Sequence, residues 1–99
     1  MNDELDQSDR ALYSISVVTE LTGISQQALR AYEDKGLITP HRTDGGTRRY
    51  SRDDIDRINE IAKLLGTGLN IEGVNQVMTL QAEAAGLRQE LKDARDDSN

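Results

Sequence analysis

Arginine side chains, which pair readily with bases and phosphates, are concentrated in residues 25–52 of this 99-residue chain, where Gln26 and Gln27 accompany them. Gln can form two hydrogen bonds with adenine, and Arg can do the same with guanine or hold a phosphate. Residues 25–52 contain six Lys or Arg against three acidic residues, a balance of +3; because the whole chain carries −6, the remainder carries −9. A basic stretch within an acidic protein indicates a focused footprint on duplex DNA, with chance clustering of surface charge as the alternative.

The composition argues against several other kinds of site. The chain has no Cys, which excludes disulfides, thiolate metal sites and thiol redox sensing. Its single His, His41, has no nucleophile or carboxylate placed near it in the pattern, so we expect no enzymatic activity and no cofactor. No apolar run approaches the roughly 20 residues that span a bilayer, and the N-terminus is acidic, so we expect a cytoplasmic protein.

The pattern before and inside the basic stretch predicts a helix-turn-helix. Ser16 is the predicted N-cap of a first short helix, and residues 22–25 form a tight turn with Gly23 at its centre. Ser25 is the predicted N-cap of a second helix that stops at Gly36. In such a motif the N-terminal residues of the second helix face the major groove.

Along the second helix, the helical period separates an inward face from an outward face. Ala28 and Leu29 point inward, and Tyr32 can either pack as a half-buried core aromatic or send its hydroxyl to a phosphate, two roles that are compatible. The outward residues, which we predict to contact DNA, are Gln26, Gln27 and Arg30.

The residues after Gly36 predict a β-hairpin. Leu37–Thr39 precede Pro40, residues 43–46 read Thr-Asp-Gly-Gly and suit a reversal, and residues 47–50 return. A short helix followed by an arginine-rich hairpin is the layout of a winged helix-turn-helix.

Two further helices follow, and the second ends in an apolar seam. Ser51 is the predicted N-cap of a helix that runs to Gly66, and Asn70 caps the next, in which Met78 is expected to fill the core. Five residues then recur at intervals of 4, 3, 4 and 3, the a/d spacing of a coiled coil: Leu80, Ala84, Leu87, Leu91 and Ala94. The alternative is a helix that folds back on its own domain.

Together these elements predict a mainly α fold: a winged helix-turn-helix with a small β-hairpin wing and a C-terminal coiled-coil dimerisation helix. The predicted divisions are a disordered acidic tail at 1–11, the DNA-binding domain at 12–76, the dimerisation helix at 77–95 and a frayed tail at 96–99.

The order of these elements resembles the MerR family of bacterial transcription regulators. The resemblance rests on ISVVTELTGIS (15–25), LRAYEDKGLITP (29–40) and GGTRRYSRDDIDRI (45–58). It is nearest to the heat-shock repressor branch called HspR, through PHRT (40–43) and GLNIEGV (68–74).

The resemblance implies a homodimer, joined by antiparallel C-terminal helices, that reads an inverted repeat in or near a promoter. By matching position it implies recognition-helix contacts and wing contacts to the DNA backbone: Gln26, Gln27, Arg30 and Tyr32 in the first group, Arg48 and Arg49 in the second, with Arg42 as a further candidate. Many members carry two consecutive Tyr where this chain has Ala31 and Tyr32, which puts one backbone contact in doubt.

The resemblance also bears on regulation. Other MerR proteins sense metals or oxidants through Cys, or drugs through a large C-terminal domain, and this chain has neither. The HspR branch implies a repressor of chaperone or stress genes with the DnaK chaperone as co-repressor.

Two other function classes stay open. One is a nucleoid-organising protein that uses the same winged module, which many dispersed genomic sites would favour. The other is an adaptor that binds proteins through its acidic surface, which salt-insensitive partner binding without DNA affinity would favour.

Overall fold

Serine caps determine where three of the helices begin. The structure, a computed structural model, describes residues 12–97, so the predicted tail at 1–11 lies outside the described residues, as do Ser98 and Asn99. The hydroxyls of Ser14, Ser25 and Ser51 each accept a hydrogen bond from an amide of the first turn, at 3.0–3.2 Å. The helices that follow are α1 (Ile15–Thr22), α2 (Gln26–Asp34) and α3 (Arg52–Gly66). At α3 the Asp54 carboxylate also accepts from the Ser51 amide, which completes a capping box.

The predicted cap at Ser16 is wrong, and Ser14 takes its place. Ser14 has extended backbone dihedrals (φ −70°, ψ 162°), whereas Ser16 lies exposed inside α1. The reason is tertiary: Tyr13 and Tyr50 exchange backbone hydrogen bonds of 2.7 and 2.8 Å, which keeps the chain extended up to residue 13. The helix therefore begins two residues earlier than the local pattern suggests.

The wing consists of two very short antiparallel strands, β1 (His41–Arg42) and β2 (Arg48–Arg49), with Arg42 opposite Arg48. Gly46 has φ 87°, a conformation that favours glycine, and its amide bonds the Thr43 carbonyl at 2.8 Å to close the turn.

The first strand begins after Pro40 instead of at Leu37. Leu37 and Ile38, which the pattern places in the hairpin, are buried in the core at 1% and 3% exposure. The Leu37 carbonyl accepts from Arg57 Nε at 2.5 Å, so this segment is held by α3 and not by a partner strand.

The last helix, α4 (Ile71–Asp97), is 27 residues long and runs unbroken through residues 76 and 77, where the domain boundary is predicted. Asn70 caps it as predicted, since its side-chain oxygen accepts from the Gly73 amide at 2.8 Å. Asp96 and Asp97, the start of the predicted frayed tail, are still helical. Beyond Met78 the helix leaves the core, and we call residues 79–97 the arm.

The core lies where α1, α2, α3, the wing and the start of α4 meet. Its buried hydrophobic members are Val18, Leu29, Tyr32, Leu37, Ile38, Tyr50, Ile58, Ile61, Val74 and Met78. Met78, at 8% exposure, fills the edge of this core as predicted. The helical content, the two-stranded hairpin and the long C-terminal helix confirm the predicted mainly α, winged fold.

Candidate nucleic-acid interface

The recognition helix α2 presents a polar face away from the core. Leu29 is fully buried, while Gln26, Gln27 and Arg30 are all exposed, as the helical period predicts. Because residues three and four apart are neighbours on a helix, Arg30 lies on the same face as Glu33. This face combines base-reading side chains with a carboxylate.

Tyr32 belongs to the core more than to this face. It is 6% exposed, and its burial raises the pKa of its hydroxyl above the usual value. Its role in packing is established by that burial. Its hydroxyl contact with a phosphate stays a prediction.

Glu33 joins the recognition helix to the wing. One of its carboxylate oxygens, Oε1, accepts from Arg48 Nε at 2.7 Å, and the other, Oε2, accepts from Arg42 Nη2 at 2.8 Å. Two of the three wing arginines predicted to contact DNA are thus bound to a carboxylate of the protein itself.

This cluster was missed by sequence reasoning, in which Glu33 was only one of three acidic residues. The pairs span 9 and 15 residues along the chain, so no helical or strand period records them. A signal was nevertheless present: the predicted hairpin contains several arginines, and like charges that face each other across strands are destabilising, which favours an acidic neighbour.

The charges in the cluster stabilise one another. The hydrogen bond from Arg48, followed by that from Arg42, holds the pKa of Glu33 below its usual range, and the same bond raises the pKa of Arg48. Because the pKa of Glu33 is lower in the folded chain, its contribution to stability is complete above the unfolded value of about 4.3 and is lost as the pH falls through the folded pKa. At neutral pH the cluster has one negative and two positive groups.

Arg49 and Arg30 differ from the two paired arginines. Within residues 12–97 neither lies within ion-pair distance of a carboxylate. Arg49 is half-buried and its Nη1 donates to the Arg48 carbonyl at 3.0 Å, whereas Arg30 is exposed. Both side chains carry an uncompensated charge at the predicted interface.

The base of the wing adjoins both the N-terminal segment and the start of α3. Tyr50, directly after β2, is fully buried and is tied to Tyr13 through the backbone. His41 lies opposite Arg49 on the hairpin, and its Nδ1 is 3.7 Å from Asp54 Oδ2 at the start of α3.

In the part of the chain that the structure describes, no group of three or more His, Cys, Asp or Glu side chains is arranged to hold a metal ion. No helix in that part is long and apolar enough to cross a membrane.

The arm exposes the predicted seam. Leu80, Leu87 and Leu91 are 63%, 65% and 59% exposed, Ala94 is exposed, and Ala84 is half-buried. The alternative, in which the helix folds back on its own domain, is therefore wrong. None of the residues that the structure describes covers this apolar stripe.

Comparisons with known proteins agree with this geometry. The family described as "MerR HTH family regulatory protein" matches residues 13–81. The transcriptional regulator GlnR of Bacillus cereus is 37% identical over 91 residues, which cover 89% of this chain and 70% of GlnR. HspR of Streptomyces coelicolor, named a heat shock protein, is 41% identical over 87 residues, which cover 80% of this chain and 58% of HspR.

Two solved structures share the fold. HiNmlR, a MerR family regulator lacking the sensor domain and bound to promoter DNA, superposes with a TM-score of 0.60 at 22% identity, covering 82% of this chain and 79% of its own. A MerR family regulator from Bacillus cereus gives a TM-score of 0.63 at 20% identity, covering 87% and 70%.

Proposed function

The chain belongs to the MerR family of DNA-binding transcriptional regulators, and we propose that it acts as a homodimeric repressor that binds an inverted repeat in a promoter. The family is one of regulators and not of enzymes. Family membership leaves open the operator symmetry, the direction of control and the residues that contact DNA.

One observation carries the choice of contact residues: the wing arginines lie beside the outward face of the recognition helix. Arg42 and Arg48 both bond Glu33, and Glu33 lies one helical turn after Arg30 on the same face of α2. Side chains suited to base edges and side chains suited to phosphates are therefore contiguous.

The exposed seam of the arm supports the dimer. A dimer with two-fold symmetry presents two recognition helices to two half-sites, which is why such proteins bind inverted repeats. We assign the dimer contact to the arm residues Leu80, Ala84, Leu87, Leu91 and Ala94. HiNmlR, which shares this fold, was crystallised on promoter DNA.

The test separates contacts that position the protein from contacts that specify the sequence. The operator is first selected from random duplexes, and binding of Arg49→Ala and Arg30→Ala is then measured on operator and random DNA. Loss of a phosphate contact by Arg49→Ala should weaken both complexes alike and reduce the salt slope by about one. Loss of a base contact by Arg30→Ala should cost about 1–3 kcal/mol, mainly on the operator.

Lys92→Ala is the matched control, because it removes a positive charge from the exposed surface of the arm, outside the seam and outside the wing. It should leave the operator preference unchanged. Equal losses on operator and random DNA for both Arg49→Ala and Arg30→Ala would contradict the assignment of roles, and a wild type without duplex affinity would contradict the function.

A further part of the proposal is which genes the protein controls. Similarity to HspR, named a heat shock protein, supports control of stress genes, whereas similarity to GlnR is as extensive and does not. DnaK as a partner rests only on the resemblance of this sequence to the HspR branch. Gel shifts at growth and heat-shock temperature, with and without DnaK, test whether the protein has an HspR-like role. We expect DnaK to strengthen operator binding. Binding that ignores both variables, together with many dispersed genomic sites, would favour the nucleoid-organising alternative.

A further inference from the structure

The wing is too small to determine its own position. Each strand has two residues, and a short two-stranded hairpin is at best marginally stable by itself in water. Arg42 and Arg48 are also direct cross-strand partners, and like charges directly opposite each other destabilise a hairpin. Something outside the hairpin must compensate this repulsion.

The Glu33 carboxylate meets both requirements at once. It gives one oxygen to each arginine, at 2.7 and 2.8 Å, and its side chain is only 20% exposed, so the contact is partly shielded from solvent. Arg42 is further constrained because its Nη1 donates to the Gly46 carbonyl at the wing turn, at 3.0 Å. The strands, the turn and α2 thus share one hydrogen-bonded cluster.

We propose that Glu33 is a positioning residue, whose carboxylate fixes the wing against the recognition helix so that both elements meet DNA as one rigid surface. The inference rests on the proposed function. In this arrangement Arg48 uses its Nε for Glu33, and within residues 12–97 no hydrogen bond occupies its two terminal nitrogens. Those nitrogens remain for a phosphate, at a position that Glu33 determines.

Charge and positioning predict opposite effects for the loss of this carboxylate. A negative charge beside the DNA surface repels phosphates, so its removal, taken as charge alone, raises affinity for any duplex. If the carboxylate holds the wing in register, its removal weakens the operator complex relative to random DNA. The ratio of the two affinities separates the two effects.

The experiment compares Glu33→Gln with Asp34→Asn on operator and random duplexes. Asp34 is the adjacent exposed residue of α2, and its charge also acts through space on Arg48, but within residues 12–97 it forms no hydrogen bond with the wing. Asp34→Asn therefore removes the same charge without removing a bond to the wing. We expect Asp34→Asn to leave the affinity ratio unchanged. We expect Glu33→Gln to lower it about tenfold, the size of a coupling between residues in contact.

A second variant, Glu33→Asp, keeps the charge but shortens the side chain by one methylene, so that one carboxylate no longer reaches both arginines. It should lower the ratio as well. Hydrogen exchange supplies a readout of position: the wing amides of Thr43 and Gly46 should lose protection in both Glu33 variants, while the amide of Ile58 in the core keeps it.

The outcomes are distinct. Glu33→Gln and Glu33→Asp with the affinity ratio of wild type, or with unchanged wing protection, would overturn the inference. Loss of protection at Ile58 would overturn it too, because Glu33 would then support the whole fold and not the wing. A wild-type protein that binds no duplex would instead refute the proposed function.

Discussion

Tyr50 buries its whole side chain, hydroxyl included, yet within residues 12–97 no group forms a hydrogen bond with that hydroxyl. The burial raises the pKa of the Tyr50 hydroxyl above its usual value. A buried hydroxyl without a partner costs about 1–3 kcal/mol, because it gives up its bonds to water and gains none. Burial of the Tyr50 ring thus stabilises the fold, whereas burial of its hydroxyl destabilises it.

Removing that hydroxyl should therefore do no harm. We expect Tyr50→Phe to leave the free energy of unfolding unchanged or to raise it by up to about 3 kcal/mol, as measured by chemical denaturation. Tyr13→Phe is the control, because Tyr13 is only half-buried and should change stability by less than about 0.5 kcal/mol. A clear loss of stability in Tyr50→Phe would show that the hydroxyl has a bonding partner.

At the scale of elements, α1 depends strongly on its cap. The helix has eight residues, far below the length at which an isolated helix is stable, and its first turn contains no acidic residue to favour the helix dipole. The Ser14 hydroxyl satisfies the Val17 amide at 3.2 Å. This bond caps the first helix of the helix-turn-helix at the residue where the extended segment held by the Tyr13–Tyr50 pairing ends.

Two serines two residues apart give a direct test of that start. Ser14→Ala should lower the free energy of unfolding by about 0.5–2 kcal/mol, since the Val17 amide loses its partner. Ser16→Ala should be neutral or slightly stabilising, because Ser16 is exposed inside the helix and Ala is the better helix former. Thermal or chemical unfolding monitored by circular dichroism measures both, and the reverse order of effects would contradict the Ser14 cap.

The whole molecule divides between a packed winged module and a projecting arm. Met78 is the last buried residue of α4, and the 19 residues after it include the three exposed leucines of the seam. Exposed apolar stripes of this spacing are typical of helices that pair with a second helix.

We expect wild type to be dimeric and Leu87→Asp to be monomeric, as measured by light scattering at tens of micromolar. A charge buried in the seam should cost several kcal/mol unless the helices separate. Ala82→Asp is the matched control, because it adds the same charge to the exposed side of the arm, away from the seam. A monomeric wild type, or an equal effect of the two variants, would refute the assignment of the dimer contact.

The sequence alone determined most features that depend on neighbours within one or two turns, the cap of α1 being the exception. Ser25 and Ser51 begin α2 and α3, Gly36 follows the end of α2 with φ 77°, and Gly46 closes the wing turn. The helical period likewise placed Arg30 outward and Leu29 inward. Such features depend on local hydrogen bonds and on spacing along the chain, and both can be read from the order of residues.

The tertiary structure decided whatever depends on residues far apart in the chain. The Tyr13–Tyr50 pairing moved the start of α1 to Ser14, and the demand for apolar burial drew Leu37 and Ile38 from the predicted hairpin into the core. Glu33 bonds Arg42 and Arg48 only because the hairpin packs against α2. No periodicity encodes these contacts, because each depends on how the elements pack against one another.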